Sequence, residues 1–264
     1  MKLSTVWRWV LLGVLATSAC GGAAAKPTDG GSTTGSGGMG GSGSGTGGGS
    51  GGGSQGGAGT SGGACAASGP TLTSLPACPA AATTSVNVPS GCAPTVDGTY
   101  HAGEWSDAAC FGIGTDPVYV KYSGTTLYLA WPMKPTCGCG AQLAFNKTAA
   151  TSLDGNQFDL SIVDDPFSTT GDAAELTSQG GSWKQSPGID PGIVIANPAM
   201  QTTYELAIPF SELGITAGQA HTVGLGVSHS LGGVWPAALT TPTGMPQPSN
   251  PSDWGKLTSS ASWR

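Results

Sequence analysis

The stretch Thr203-Tyr-Glu-Leu-Ala-Ile-Pro-Phe-Ser-Glu-Leu-Gly214 decides how the rest of the chain is read. Tyr204, Leu206 and Ile208 alternate with Thr203, Glu205 and Ala207, the two-residue period of a half-buried strand. Pro209 has no N–H to give a sheet ladder, so the strand stops or turns away there. Ser211 is then placed to cap a short turn through Glu212 and Leu213, and Gly214 supplies a left-handed exit. Working outward, Val118–Tyr122 and Thr126–Trp131 flank Ser123-Gly-Thr125, a hairpin signal. Gln142–Asn146, Gln157–Val163, Ile193–Ala196, Thr202–Ile208 and Thr222–Ser228 are further strand candidates. No segment holds a helical period for three turns. Short strands between Gly/Pro turns predict an all-β domain, a single antiparallel β-sandwich.

About a hundred residues before that stretch stands Val96-Asp-Gly-Thr-Tyr-His-Ala-Gly-Glu-Trp-Ser-Asp-Ala108, and near the end comes Pro251-Ser-Asp-Trp-Gly-Lys-Leu257. In order, Val96-Asp97-Gly98, Glu104-Trp105, Ala108, Leu127–Trp131, Tyr204–Gly214 and Pro251–Leu257 resemble carbohydrate-binding module family 9 and its relatives with the DOMON-like β-sandwich. The likeness covers residues 93–264. It implies a module that holds a polysaccharide or a glycan end without cleaving it, a sugar sandwiched between two tryptophans, and structural calcium. In haem-binding relatives it implies a Met and a His or Lys as axial ligands, roughly one hundred residues apart. A fold is not a site, so each of these rests on particular residues.

Sugar rings stack their apolar face on an aromatic side chain while polar neighbours take the hydroxyls, and the wide, rigid face of Trp suits this best. Trp105, Trp131 and Trp254 fall in the motifs or at alternating strand positions, where core packing accounts for them. Trp183 and Trp235 lie in the loop-like segments Gly180–Pro187 and Gly232–Pro236, and are the candidate carbohydrate-binding pair. Asn197, Gln185 and Gln247 are the polar candidates beside them. For calcium, Asp154-Gly-Asn-Gln-Phe-Asp159 offers Asp154, Asn156 and Asp159, with Asp97 as a further ligand; the pattern is not an EF-hand, and Asp suits turns without any metal. The haem reading would use Met133 and His229. Nothing singles out a pair of acids for glycoside hydrolysis, so the expected role is binding, not catalysis.

The remaining features concern delivery. Residues 1–19 read as a signal peptide: Lys2 and Arg8 precede an apolar run from Trp9 to Ala16, too short to span a bilayer. Leu15-Ala-Thr-Ser-Ala-Cys20 looks like a lipobox, which makes Cys20 the lipidated residue. Residues 20–63 then form a lipid-anchored tether: Gly fills 22 of the 43 positions from 21 to 63, too little apolar surface to repay ordering. As a coil that tether averages ~35 Å end to end. Residues 64–92 form a Cys/Pro-rich collar, and 93–264 the sandwich. Six cysteines remain after Cys20, namely Cys65, Cys78, Cys92, Cys110, Cys137 and Cys139, which in an exported chain predicts three disulfides of open pairing. With 15 acidic against 9 basic residues and no basic stripe, nucleic acid is excluded as a partner. The expected setting is the cell envelope: a monomer, lipid-anchored at the outer membrane or cell surface, facing a polysaccharide or surface glycan. A structural or adhesive domain without a small ligand is the rival.

Overall fold

Thr203–Pro209 is a strand, as its alternation predicts, and lies antiparallel to Thr126–Pro132 from Thr203 opposite Pro132 to Pro209 opposite Thr126. This comes from a computed structural model, which describes residues 77–78, 84–101, 103–114, 116–132, 140–163, 172–196, 203–229, 233–239 and 248–264, all within the unit Ser61–Arg264. The described strands, in chain order, are β1 (Ser85–Asn87), β2 (Ala109–Ile113), β3 (Asp116–Ser123), β4 (Thr126–Pro132), β5 (Gly140–Asn146), β6 (Gln157–Val163) and β7 (Asp172–Gln179). They continue with β8 (Ser182–Gln185), β9 (Val194–Ala196), β10 (Thr203–Pro209), β11 (Thr222–His229), β12 (Gly233–Trp235) and β13 (Gly255–Thr258).

These strands form two sheets. The larger runs β1-β13-β11-β5-β6-β7-β8 with β12 also on β11, and the smaller runs β2-β3-β4-β10-β9. Pairing is antiparallel except between β1 and β13. Alternate residues of both sheets meet in one apolar core: Val118, Val120 and Tyr122 from β3, Leu127, Leu129 and Trp131 from β4, Leu143 and Phe145 from β5, and Phe158, Leu160 and Ile162 from β6. The chain is therefore an all-β sandwich, as expected.

Several boundaries differ from the expectation, each for a local reason. Strand β1 falls inside residues 64–92, so the sandwich begins before residue 93; Ser85–Asn87 is too short to show a period and owes its strand to β13. Just after it the chain crosses to the other sheet: Val88 N–H donates to Thr258 O at 2.6 Å, and Gly91 N–H to Tyr122 O at 2.8 Å. Gly180 and Gly181 have φ of 60° and 79° and make the two-residue turn of a β7–β8 hairpin. Trp183 is thus a strand residue, and so is Trp235 on β12; neither sits in a loop. After Pro209 the chain makes a 3-10 turn over Phe210–Leu213 whose N-cap position is Pro209, so Ser211 lies within the turn and does not cap it. Gly214 supplies the left-handed exit, with φ 67°.

Cys78 and Cys110 form a disulfide that ties the segment before β1 to β2, and Cys92 is disulfide-bonded as well. Cys20, Cys65, Cys137 and Cys139 lie outside the described residues. The Cys78–Cys110 link closes a loop with a sequence separation of 32 residues. Cys78→Ser is expected to lower the unfolding free energy by about 3 kcal/mol, read from a urea titration of the oxidised protein.

Candidate functional site

The two motifs that stand a hundred residues apart meet at one side chain. Glu205 projects from β10 on the outer side of the smaller sheet and is 0% exposed. Its Oε2 accepts hydrogen bonds from the N–H groups of Asp97 (3.0 Å) and Gly98 (2.9 Å), and its Oε1 accepts one from Trp105 Nε1 (3.1 Å). Burial pushes its carboxyl up to about 7, against the three donors that favour the charged form. Beside it, buried Lys121 donates to Asp107 Oδ1 at 2.8 Å and to Glu104 O, and lies 5.4 Å from the Trp105 ring centre. Burial lowers the Lys121 pKa, and Asp107 opposes that shift. These contacts clamp residues 95–107 onto β3 and β10. The motif residues serve the fold here, and Trp105 is core, as expected.

The proposed calcium ligands are not brought together. Asp97 Oδ1 accepts from Thr99 N–H at 2.8 Å, a turn closed by its own side chain, on the smaller sheet's outer side. Asp154 Oδ1, at the edge of the larger sheet, accepts from Asn156 N–H (3.1 Å), Asn156 Nδ2 (3.1 Å) and Gln157 Nε2 (2.9 Å). The Gln157 bond is the main reason the Asp154 carboxyl is held below its usual pKa. Asn156 is thus a turn partner of Asp154, while Asp159 is buried in mid-strand. Among the described residues no group of three or more His, Cys, Asp or Glu is placed to hold a metal ion. Turn chemistry accounts for Asp97, Asp154 and Asn156 without a metal.

The outer face of the larger sheet is different. Its period-two residues run across the strands in rows set by the register. Gly226, Ala144, Asp159 and Leu176 form one row, and Ser228, Gln142, Ser161 and Ala174 form the next. Gly224, Asn146, Gln157, Ser178 and Trp183 form a third. That third row is closed on itself: Gln157 Nε2 donates to Asn146 Oδ1 at 3.0 Å, and Ser178 Oγ–H to Gln157 Oε1 at 2.8 Å. The other two are not. Asp159 is 0% exposed, and neither carboxylate oxygen has a hydrogen-bond partner among the described residues. Gln142 donates to Ser161 Oγ at 2.7 Å, but its buried Oε1 is unpartnered there too, as is Trp254 Nε1. Burial alone pushes the Asp159 carboxyl up to about 8.

An aromatic shelf borders these groups. Trp254 packs in a cluster with Ala144, Leu153 and Leu239, against which Trp183 and Val234 lie partly buried. Trp183 and Trp254 are parallel to within 4°, with centres 6.3 Å apart, and Trp183 Nε1 donates to Pro248 O at 3.1 Å. Gln185, also on β8, is exposed on the same face as Leu176. Of the predicted sugar-binding residues, Trp183 and Gln185 therefore fall together on the face that carries the unpartnered polar groups.

Trp235 does not. It is 2% exposed, 4.3 Å from the Phe111 ring centre, and lies on the inner side of its strand within the main core. It has no free face for a sugar, so the expected Trp183–Trp235 pair is not brought together; Trp254, 5% exposed, is core, as expected. Asn197, Gln247 and Met133 lie outside the described residues, as does the His229 side chain, whose backbone ends β11. Gln142 was not among the predicted site residues; its signal was its place in Gln142-Leu-Ala-Phe-Asn146, where residues 142, 144 and 146 share one face.

Fold and site together define an all-β sandwich with an aromatic-edged polar patch on the outer face of its larger sheet. Compared with family models, curated proteins and solved structures, the chain shows no match in any of the three.

Proposed function

We propose that the chain is a non-catalytic carbohydrate-binding lipoprotein of the cell envelope, similar to carbohydrate-binding module family 9, in which Cys20 carries the lipid and residues 21–63 hold the sandwich away from the membrane. The observation that carries the binding role is the placement, on one sheet face, of partly buried Trp183, parallel to buried Trp254, with the unpartnered oxygens of Asp159 and the unpartnered Oε1 of Gln142. An aromatic surface takes the apolar side of a pyranose, and adjacent polar groups take its hydroxyls. Closed polar networks serve packing alone; buried polar atoms without partners call for a ligand or another occupant.

Trp183→Ala tests this directly. The side chain is only partly buried at the edge of the sheet, so its loss costs about 1 kcal/mol of stability. Binding of soluble glucan or xylan oligosaccharides, followed by titration calorimetry on the full chain, is expected to weaken at least about tenfold. Unchanged affinity in that variant removes Trp183 from the site. The rival, a structural or adhesive surface domain, is favoured by one observation: Trp235, half of the expected pair, is core. Silence from the folded chain across neutral, amino and acidic glycans would favour it.

A further inference from the structure

One ion pair stands apart from the candidate site, on the outer side of the smaller sheet. Lys121 projects there from β3 with its side chain 0% exposed, and its Nζ meets Asp107 Oδ1 at 2.8 Å, Glu104 O, and Cys92 Sγ at 3.8 Å. Asp107 is held from its other oxygen as well: Oδ2 accepts from Cys92 N–H at 2.9 Å. Gly91 makes room for that carboxyl, since a Cβ there would stand 2.7 Å from Asp107 Cγ. The Trp105 ring, its centre 5.4 Å from Nζ, closes the apolar side. A primary amine and a carboxyl are thus pressed together from two sides, the amine cut off from water and the carboxyl 34% exposed. Transfer of one proton along the 2.8 Å bond turns ammonium and carboxylate into neutral amine and acid, and the burial that lowers the Lys121 pKa favours that form. The neutral amine keeps two N–H groups, matched by Glu104 O and Cys92 Sγ, and turns its lone pair toward Asp107. A desolvated lysine amine of this kind is a nucleophile.

We propose that Lys121 and Asp107 join as an intramolecular isopeptide bond, a self-made cross-link that straps residues 95–107 to β3. Lys121 Nζ attacks Asp107 Cγ, and Cys92 N–H stabilises the charge that develops on Oδ2. The N–C bond forms and the C–Oδ1 bond breaks. Oδ1 leaves as water, carrying the proton it had received from the ammonium and a second proton from the attacking nitrogen. No oxidant, reductant or cofactor enters the step. The remaining amide N–H still faces Glu104 O. Two groups held in contact react as if each were present at an effective concentration on the order of 10⁵ M in well-oriented cases, which favours an amide that free amine and acid in water do not reach. The partial exposure of Asp107 lets the water out, and the uncharged product no longer bears the desolvation cost of a buried ion pair.

The test is peptide mapping of the full chain by mass spectrometry, after folding, reduction and chymotryptic digestion. Cuts after Trp105, Phe111, Tyr119 and Tyr122 release Ser106–Phe111 and Val120–Tyr122. The expected result is one joined species, lighter by a single water than the two peptides together, and no tryptic cut after Lys121. Two separate peptides at their full masses, with trypsin cutting freely after Lys121, overturn the proposal. So does a water lost by ring closure at Asp97-Gly98, or an amide made through Glu104, because either leaves Ser106–Phe111 unlinked. In Asp107→Ala the joined species is expected to be absent and the melting temperature lower. A linked Lys121 that persists in Asp107→Ala overturns the choice of Asp107.

Discussion

Glu205→Ala is expected to destabilise the sandwich by about 3 kcal/mol, more than any other single truncation outside the apolar core. The substitution removes one carboxylate and strands three donors, the Asp97 and Gly98 N–H groups and the Trp105 indole, all held against the smaller sheet. It also removes a neighbour of the Trp105 ring, above which Lys121 lies. Chemical denaturation of the full chain measures the loss. Glu205→Gln separates the causes: it retains one acceptor oxygen but turns an amide N–H₂ toward a donor, so it should recover only part of the stability. A Glu205→Ala protein as stable as the parent would mean that residues 95–107 are not anchored through this carboxylate.

The second large effect is a fall in stability as pH rises. Asp159 is held near 8 in the fold against an ordinary 3.8, and Glu205 near 7 against 4.5. Both pKa values are raised, so the folded protein binds more protons than the unfolded chain between each pair of values. Stability is fully present below about pH 4 for these two groups and is lost as pH climbs through 7 and 8. Asp159 alone accounts for roughly 6 kcal/mol over that window, because its pKa rises from 3.8 to about 8 and one pKa unit is worth about 1.4 kcal/mol. Denaturant midpoints measured from pH 4.5 to pH 8.5 should therefore decrease, and Asp159→Asn should flatten most of the decrease. A parent protein whose midpoint rises with pH would show that another set of groups dominates.

These two carboxylates, so similar in burial, divide the molecule's chemistry. Glu205 is surrounded by donors and joins distant motifs, which makes it a fold residue. Asp159 has none among the described residues, so burial alone acts on its carboxyl. Period-two patterning marked both positions as alternating with apolar residues. It could not say which of them would find partners, because those partners lie on segments remote in sequence.

Alternation alone made β3, β4, β5, β6, β10 and β11 legible, since side chains on a strand must alternate between core and outer face whatever the strand pairs with. The Gly214 exit and the all-β class followed from the same local physics. Short strands were not legible: β1, β12 and β13 hold three or four residues and exist because a neighbour supplies their hydrogen bonds. The fate of each tryptophan was likewise a tertiary matter. Trp183 and Trp235 sit in nearly identical Gly-Gly contexts, yet one ring edges an outer face and the other fills the core against Phe111. Which side of a strand is inner depends on where the second sheet packs, and that is decided by contacts across the whole sandwich.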